Sequence, residues 1–206
     1  MLLKFFNKKI TLDCFTHCPY VYESFKLKKE AYPKWANDDL LKNESFNILY
    51  KNSIAVPLWT DLTIQVDTFG NVKYDLLQNS SFKFVLKNYP PDKYHELTFS
   101  NVILLNLNCP WVLKEKEGIK FSFNGLLWNY IKEVDKFWFL NKILSFKDPK
   151  SLDIDFLISI KPLYQGIEAG KEIMQLIPMT EKEVDIKHHL VDEKEIIKLN
   201  NYGSNR

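Results

Sequence analysis

Apolar residues recur at every second position in several short windows of this chain. Ile10, Leu12 and Cys14 alternate with polar neighbours across Lys8 to Phe15, the period of a strand buried on one face. The same period runs from Ser53 to Asp67 through Ile54, Val56, Leu58, Leu62, Ile64 and Val66, with Pro57 marking an edge or a bend. Thr68-Phe69-Gly70-Asn71 reads as a hairpin turn and Val72 to Leu77 as the returning strand. Phe82, Phe84 and Leu86 share one face of a further strand, and Asn88 to Lys93, with Pro90 and Pro91, reads as a loop. Val102 to Leu107 is almost continuously apolar, which suits a central strand buried on both faces. Trp111 to Lys114, Ile119 to Phe123 and Leu126 to Tyr130 follow as separate strands, with Glu117-Gly118 turning between the first two.

Asp153 to Ile160 and Glu172 to Pro178 are the last strongly patterned strands, the second led by a turn at Gly170. The charged stretch from Lys182 to Asn200 fits one more strand and a helix from Asp192 to Leu199, ahead of a frayed tail over Asn200 to Arg206. Pro33 opens a second short helix through Asp39 and Leu41. Many short strands between turn signals predict an all-β, β-dominated single domain over residues 1–190. Its expected form is a two-sheet sandwich, a jelly roll or a β-clip with one or two short peripheral helices, and 191–206 is a charged helix or tail. Trp59, Trp111, Phe121, Phe123, Trp128, Ile173 and Leu176 are the expected core.

Composition agrees with sheet. Aromatic residues are 15% of the chain and glycines number only 6, and flat aromatic side chains suit a pleated, half-buried surface. Lys+Arg of 28 against Asp+Glu of 26 leaves a net charge of +2, too balanced for the clustered cations of a nucleic-acid binder. The single arginine is Arg206, so the bidentate forks that usually clamp phosphate are missing. The opening Met-Leu-Leu-Lys-Phe-Phe is too short for a signal peptide, and no window approaches the roughly 20 apolar residues of a membrane span. A soluble protein of a reducing compartment, with Cys14, Cys18 and Cys109 as free thiols, is the expectation.

Few residue groups carry chemistry. Cys14, His17 and Cys18 are metal-ligand types, but zinc needs four ligands, or three and water, and no second pair follows. No metal and no cofactor is expected. His188-His189 would point to opposite faces of a strand. Asp61 and Asp67, and Asp153 and Asp155, are paired carboxylates by spacing, and solvated strand faces are their ordinary use. Trp59, Trp111 and Trp128 stand at strand ends beside Pro57, Pro110 and Asn129, where they line a ligand groove or plug the ends of a core. Trp59, Asp61, Trp111, Trp128 and Asp135 are the candidate ligand-binding residues, and no catalytic set emerges.

Several phrases occur in an order that resembles a family of tailed-phage proteins without assigned activity, known from marine and cyanobacterial phages. They are Tyr32-Pro33-Lys34-Trp35, Val56-Pro57-Leu58-Trp59-Thr60-Asp61, Cys109-Pro110-Trp111-Val112-Leu113-Lys114, Gly118-Ile119-Lys120-Phe121, Leu127-Trp128-Asn129 and the run from Gly170 to Pro178. At the level of fold, Gly170 through Gln175-Leu176 resembles the last core strand of the β-clip of dUTPases and dCTP deaminases. The nucleotide chemistry does not carry over: the Arg-Ser step that holds the nucleotide phosphates is missing, and the Gly-x-x-Asp-x-x-Tyr segment of that family is reduced at best to Val134-Asp135-Lys136-Phe137. The resemblance implies a phage-encoded accessory protein, binding or structural, in the host cytoplasm or on the virion, with a protein partner or self-association. A dUTPase-like hydrolase on the same scaffold is the alternative.

Overall fold

The structure, a computed structural model, describes residues 9–21, 26–27, 42, 53–69, 71–76, 87–88, 102–125, 137–159 and 161–204. The strands expected over 81–86 and 126–130, the helix expected from Pro33, and Trp128 and Asp135 lie outside them. In chain order the strands are β1 (Ile10–Thr16), β2 (Lys26–Leu27), β3 (Ile54–Pro57), β4 (Leu62–Val66), β5 (Val72–Leu76), β6 (Lys87–Asn88) and β7 (Val102–Lys114). They continue as β8 (Lys120–Gly125), β9 (Phe137–Phe139), β10 (Lys142–Ser145), β11 (Lys150–Ser159), β12 (Leu163–Ile167), β13 (Glu172–Pro178) and β14 (Val184–Leu190). One helix, α1 (Glu193–Ser204), closes the described chain.

The all-β expectation holds, and the strands pair into two larger sheets and a small third one. The first runs β14-β1-β7-β11-β9, with β6 added along β7; the second runs β10-β8-β13-β3-β2; the third is β12-β4-β5. All three send their inner faces into one continuous core. On β1 and β11 burial alternates residue by residue, as period-two side chains require. Of the expected core, Trp111, Phe121, Phe123, Ile173 and Leu176 are buried, and Trp59 packs half-buried against them.

Three features differ from the pattern in the sequence. The single alternating run from Ser53 to Asp67 is two strands in different sheets, because the chain bends after Pro57. There Leu58 pairs with the β13 turn instead, donating to the Lys171 carbonyl and accepting from Gly170 N–H, each at 2.7 Å. Second, β7 is continuous from Val102 to Lys114 rather than two strands. It passes Cys109-Pro110 through an irregularity at which Asn108 and Val112 face Asp153 and Ser151, which lets a proline without an N–H sit inside the sheet. Third, β2, β9, β10 and β12 were not foreseen, and β6, Lys87–Asn88, ends on the first residue of the expected loop.

Two turns need a left-handed residue and use glycine. Gly118 has φ of 75° and Gly170 has φ of 80°. The first turn is tied by Glu115, whose buried carboxylate accepts from the N–H groups of Glu117 at 2.7 Å and Ile119 at 2.8 Å. At the far end Asp192 caps α1, accepting from Glu195 N–H at 2.8 Å. The helix runs to Ser204, past the point where the tail was expected to fray. It approaches β7 and β11, and Ile196 and Val112 are buried without joining the main core, so α1 lies on the outward face of the first sheet.

Candidate functional site

That outward face carries a group of polar side chains. On β11 the core takes Leu152, Ile154, Phe156 and Ile158, which turns Ser151, Asp153, Asp155 and Leu157 outward. On β7 the same rule turns Leu104, Asn106 and Asn108 outward, and in register Asp155 faces Asn106 and Asp153 faces Asn108. On β9 Phe137 goes to the core and Trp138 outward, directly beside Leu157. Two carboxylates and two carboxamides thus form a polar floor, with α1 towards one end and Trp138 at the other.

The floor is knitted together. Asn106 Nδ2 donates to Asp155 Oδ1, and Ser151 Oγ donates to Asp153 Oδ1 at 3.2 Å. Beyond Phe139 the pairing with β11 ends on Leu140, whose N–H donates to the Asp155 carbonyl at 2.9 Å, and Lys142 from β10 follows. Its ammonium pairs with the Asp155 carboxylate and donates to the Asp153 carbonyl at 3.1 Å, joining the second sheet to the first. Side-chain exposure of 24% for Lys142 and 18% for Asp155 makes this pair neither solvated nor sealed. Asn108 Oδ1 is buried and accepts no hydrogen bond. The solvated strand face expected for Asp153 and Asp155 is therefore not what forms.

The candidates named from sequence are dispersed by comparison. Trp111 is 0% exposed, meets Trp59 edge-on at 5.7 Å, and donates from Nε1 to the Val21 carbonyl at 3.4 Å. Asp61 accepts from Ala169 N–H at 2.7 Å and so holds the turn before β13. Asp67 brackets the β4–β5 hairpin, accepting from Phe69 and Asn71, and these bonds hold its carboxyl below the usual range. Asp61 and Asp67 each serve a turn rather than one another. On β14, His189 lies 2.8 Å from Asp13 Oδ1 and stacks on Phe15 at 4.6 Å, while His188 falls on the other face.

Two of the thiols, Cys14 and Cys109, are poor nucleophiles. Burial pushes Cys109 well above its usual range, with the Asp153 carboxylate adding to the effect and Lys142 opposing it. Burial alone pushes Cys14 up. Among the described residues no three His, Cys, Asp or Glu side chains gather as metal ligands. None of their helices is long and apolar enough to cross a membrane. Asp155, with both oxygens engaged, is suited to holding and recognising rather than to moving protons. Reasoning from sequence missed Asn106, Asn108, Trp138 and Lys142; the one local signal was the apolar Phe137-Trp138-Phe139, whose middle residue a strand must turn away from its neighbours. No protein-family model matches this chain, and no curated protein matches it.

Proposed function

We propose that this protein is a non-catalytic binding or structural accessory protein, encoded by a phage and acting through its surface in the host cytoplasm or on the virion. One observation carries the reading: carboxylates that a hydrolase would use are committed elsewhere. Asp61 and Asp67 tie turns, Asp13 meets His189, and Asp155 is held by Lys142 and Asn106. Meanwhile Trp138 stands 50% exposed on the edge strand β9, opposite Leu157. The phrases resembling tailed-phage proteins supply the genome context. A nucleotide hydrolase would need cationic groups or a metal ion around a triphosphate. Incubation with dUTP or dCTP and Mg²⁺ is expected to give background turnover only, and turnover that vanishes in Asp135→Ala would overturn the reading.

A further inference from the structure

We infer that β14 is a self-pairing edge: two copies of this chain join through their β14 strands, antiparallel about a two-fold axis at Ile186. β14 ends the first sheet, and among the described residues β1 is its only pairing partner. β2 comes near it but pairs with β3. Which backbone groups face outward follows from the bonds at the two ends of the strand. Ile10 N–H donates to the Glu183 carbonyl at 2.8 Å, and Val191 N–H donates to the Thr16 carbonyl at 3.0 Å. In a parallel ladder alternate residues bond the same neighbour, so the odd-numbered residues from Glu183 to Val191 serve β1. Val184, Ile186, His188 and Leu190 therefore aim their N–H and C=O groups away from β1, a row that can template another strand.

Sheet edges are ordinarily blunted by shortness, proline, bulges or unmatched charge. The opposite edge of this sheet, β9, has three residues, and the edges of the second sheet, β10 and β2, have four and two. β14 has seven, with no proline or glycine, and pairs with β1 in unbroken register. Its charges are also palindromic about Ile186. With Ile186 opposite the partner's Ile186, Asp185 meets the partner's Lys187 and Lys187 meets the partner's Asp185. Both residues are exposed, and among the described residues neither enters an ion pair. They fall at the positions without backbone bonds between the strands, where facing side chains come closest. Val184, Ile186 and His188 fall at the bonded positions and supply about six hydrogen bonds between the copies. Ile186, packed half-buried on its own core, covers the partner's Ile186 across the axis. Moving the axis to Lys187 would set lysine against lysine, so charge selects the register. The occupant that carries the complementary alternation is the chain itself.

Sedimentation equilibrium of the full chain should show an assembly of twice the chain mass at about 100 μM, with a dissociation constant on the order of 10 μM, as suits a small interface. Lys187→Asp and Asp185→Lys each set like charges opposite one another on both sides of the axis. Each should weaken the dimer about tenfold or more. The far-ultraviolet spectrum should not change, because both side chains are exposed. Mixing the two variants recreates both opposite-charge pairs and should restore association. Combining the two substitutions in one chain, which keeps the parent net charge, should restore it as well. A parent chain that is monomeric at the stated concentration overturns the inference. A dimer undiminished in both single variants overturns the location on β14, and losses that neither the mixture nor the double variant repairs overturn the register. The inference goes beyond the non-catalytic reading and does not depend on it: the nucleotide assay decides that reading and leaves this one untouched.

Discussion

Replacing Trp111 by alanine tests whether the core is built as described. The indole is 0% exposed, stands on the longest strand of the first sheet, and meets Trp59 edge-on with ring centroids 5.7 Å apart. Truncating a fully buried aromatic costs about 3–5 kcal/mol, from lost burial and from the cavity left behind. The edge-on contact accounts for about 0.5–1.5 kcal/mol within that range. The hydrogen bond to Val21 is 3.4 Å long, at the weak end, and adds little. A loss near 4 kcal/mol with a urea slope of about 2 kcal/mol per molar moves the unfolding midpoint down by about 2 M. Equilibrium urea unfolding, followed by far-ultraviolet circular dichroism, measures this directly. Trp138→Ala is the control: a half-exposed ring should cost no more than about 1 kcal/mol. A Trp111→Ala midpoint within about 0.5 M of the parent, at unchanged slope, would refute the core assignment. Equal losses for the two variants would do the same to the strand phase of β7 and β9.

Three further outcomes are expected. A thiol reagent such as Ellman's should leave Cys14, Cys18 and Cys109 unmodified in the native protein and react with all three in denaturant, since all are free and buried; native-state labelling of Cys109 would contradict its burial. Lys142→Met should cost about 1–3 kcal/mol, between the values of an exposed and a buried pair, because it leaves the Asp155 carboxylate partly desolvated without its cation; a loss that disappears when Asp155→Asn is combined with it would confirm that the pair is the cause. His17 is held below its ordinary value of 6.5 by burial, with Glu193 partly opposing, so the unfolded chain takes up its proton first. Stability should therefore be unaffected by this group above about pH 6.5 and decline as the pH falls below it, and His17→Gln should flatten that part of the profile.

The strands that were legible are those whose burial differs between faces. Ile10, Leu12 and Cys14 on β1 face the core while Thr11, Asp13 and Phe15 do not, and the sequence carries the same alternation. β9 and β10 fail this test for a physical reason. Phe137-Trp138-Phe139 is apolar on both sides because its outward residue is a half-exposed tryptophan, and β10 is a short edge strand that turns Lys142 and Leu144 inward and the apolar Ile143 outward. β12 has Gly166 within it and polar Gln165 on its core-side phase, so no contrast survives. Period two also says which face a residue takes but not which strand lies beside it. That is why the Ser53 to Asp67 run gave no warning that Leu58 would pair with Lys171 and Gly170 and pass the chain to another sheet.

The same limit hid the candidate site. Asp153 and Asp155 were visible as two carboxylates on one face, and their ordinary use in an isolated strand is to meet water. What changes their role is register. Asp155 meets Asn106 from 49 residues earlier, and Lys142 reaches it from the other large sheet. Neither partner is marked by local sequence: Asn106 interrupts an apolar run, where it reads as a small defect in a central strand. Buried in a sheet, a carboxamide must find a partner or cost its full desolvation. Asn106 therefore requires Asp155, and Asp155, once partly desolvated, requires a cation such as Lys142. Each of these residues is explained by the next, and Asn108, opposite Asp153 in the register, stands outside that network with its Oδ1 buried and without a hydrogen bond. Register, not local pattern, therefore decides what these carboxylates do: Asp61 holds the turn before β13, whereas Asp155 binds one residue from each of the two large sheets.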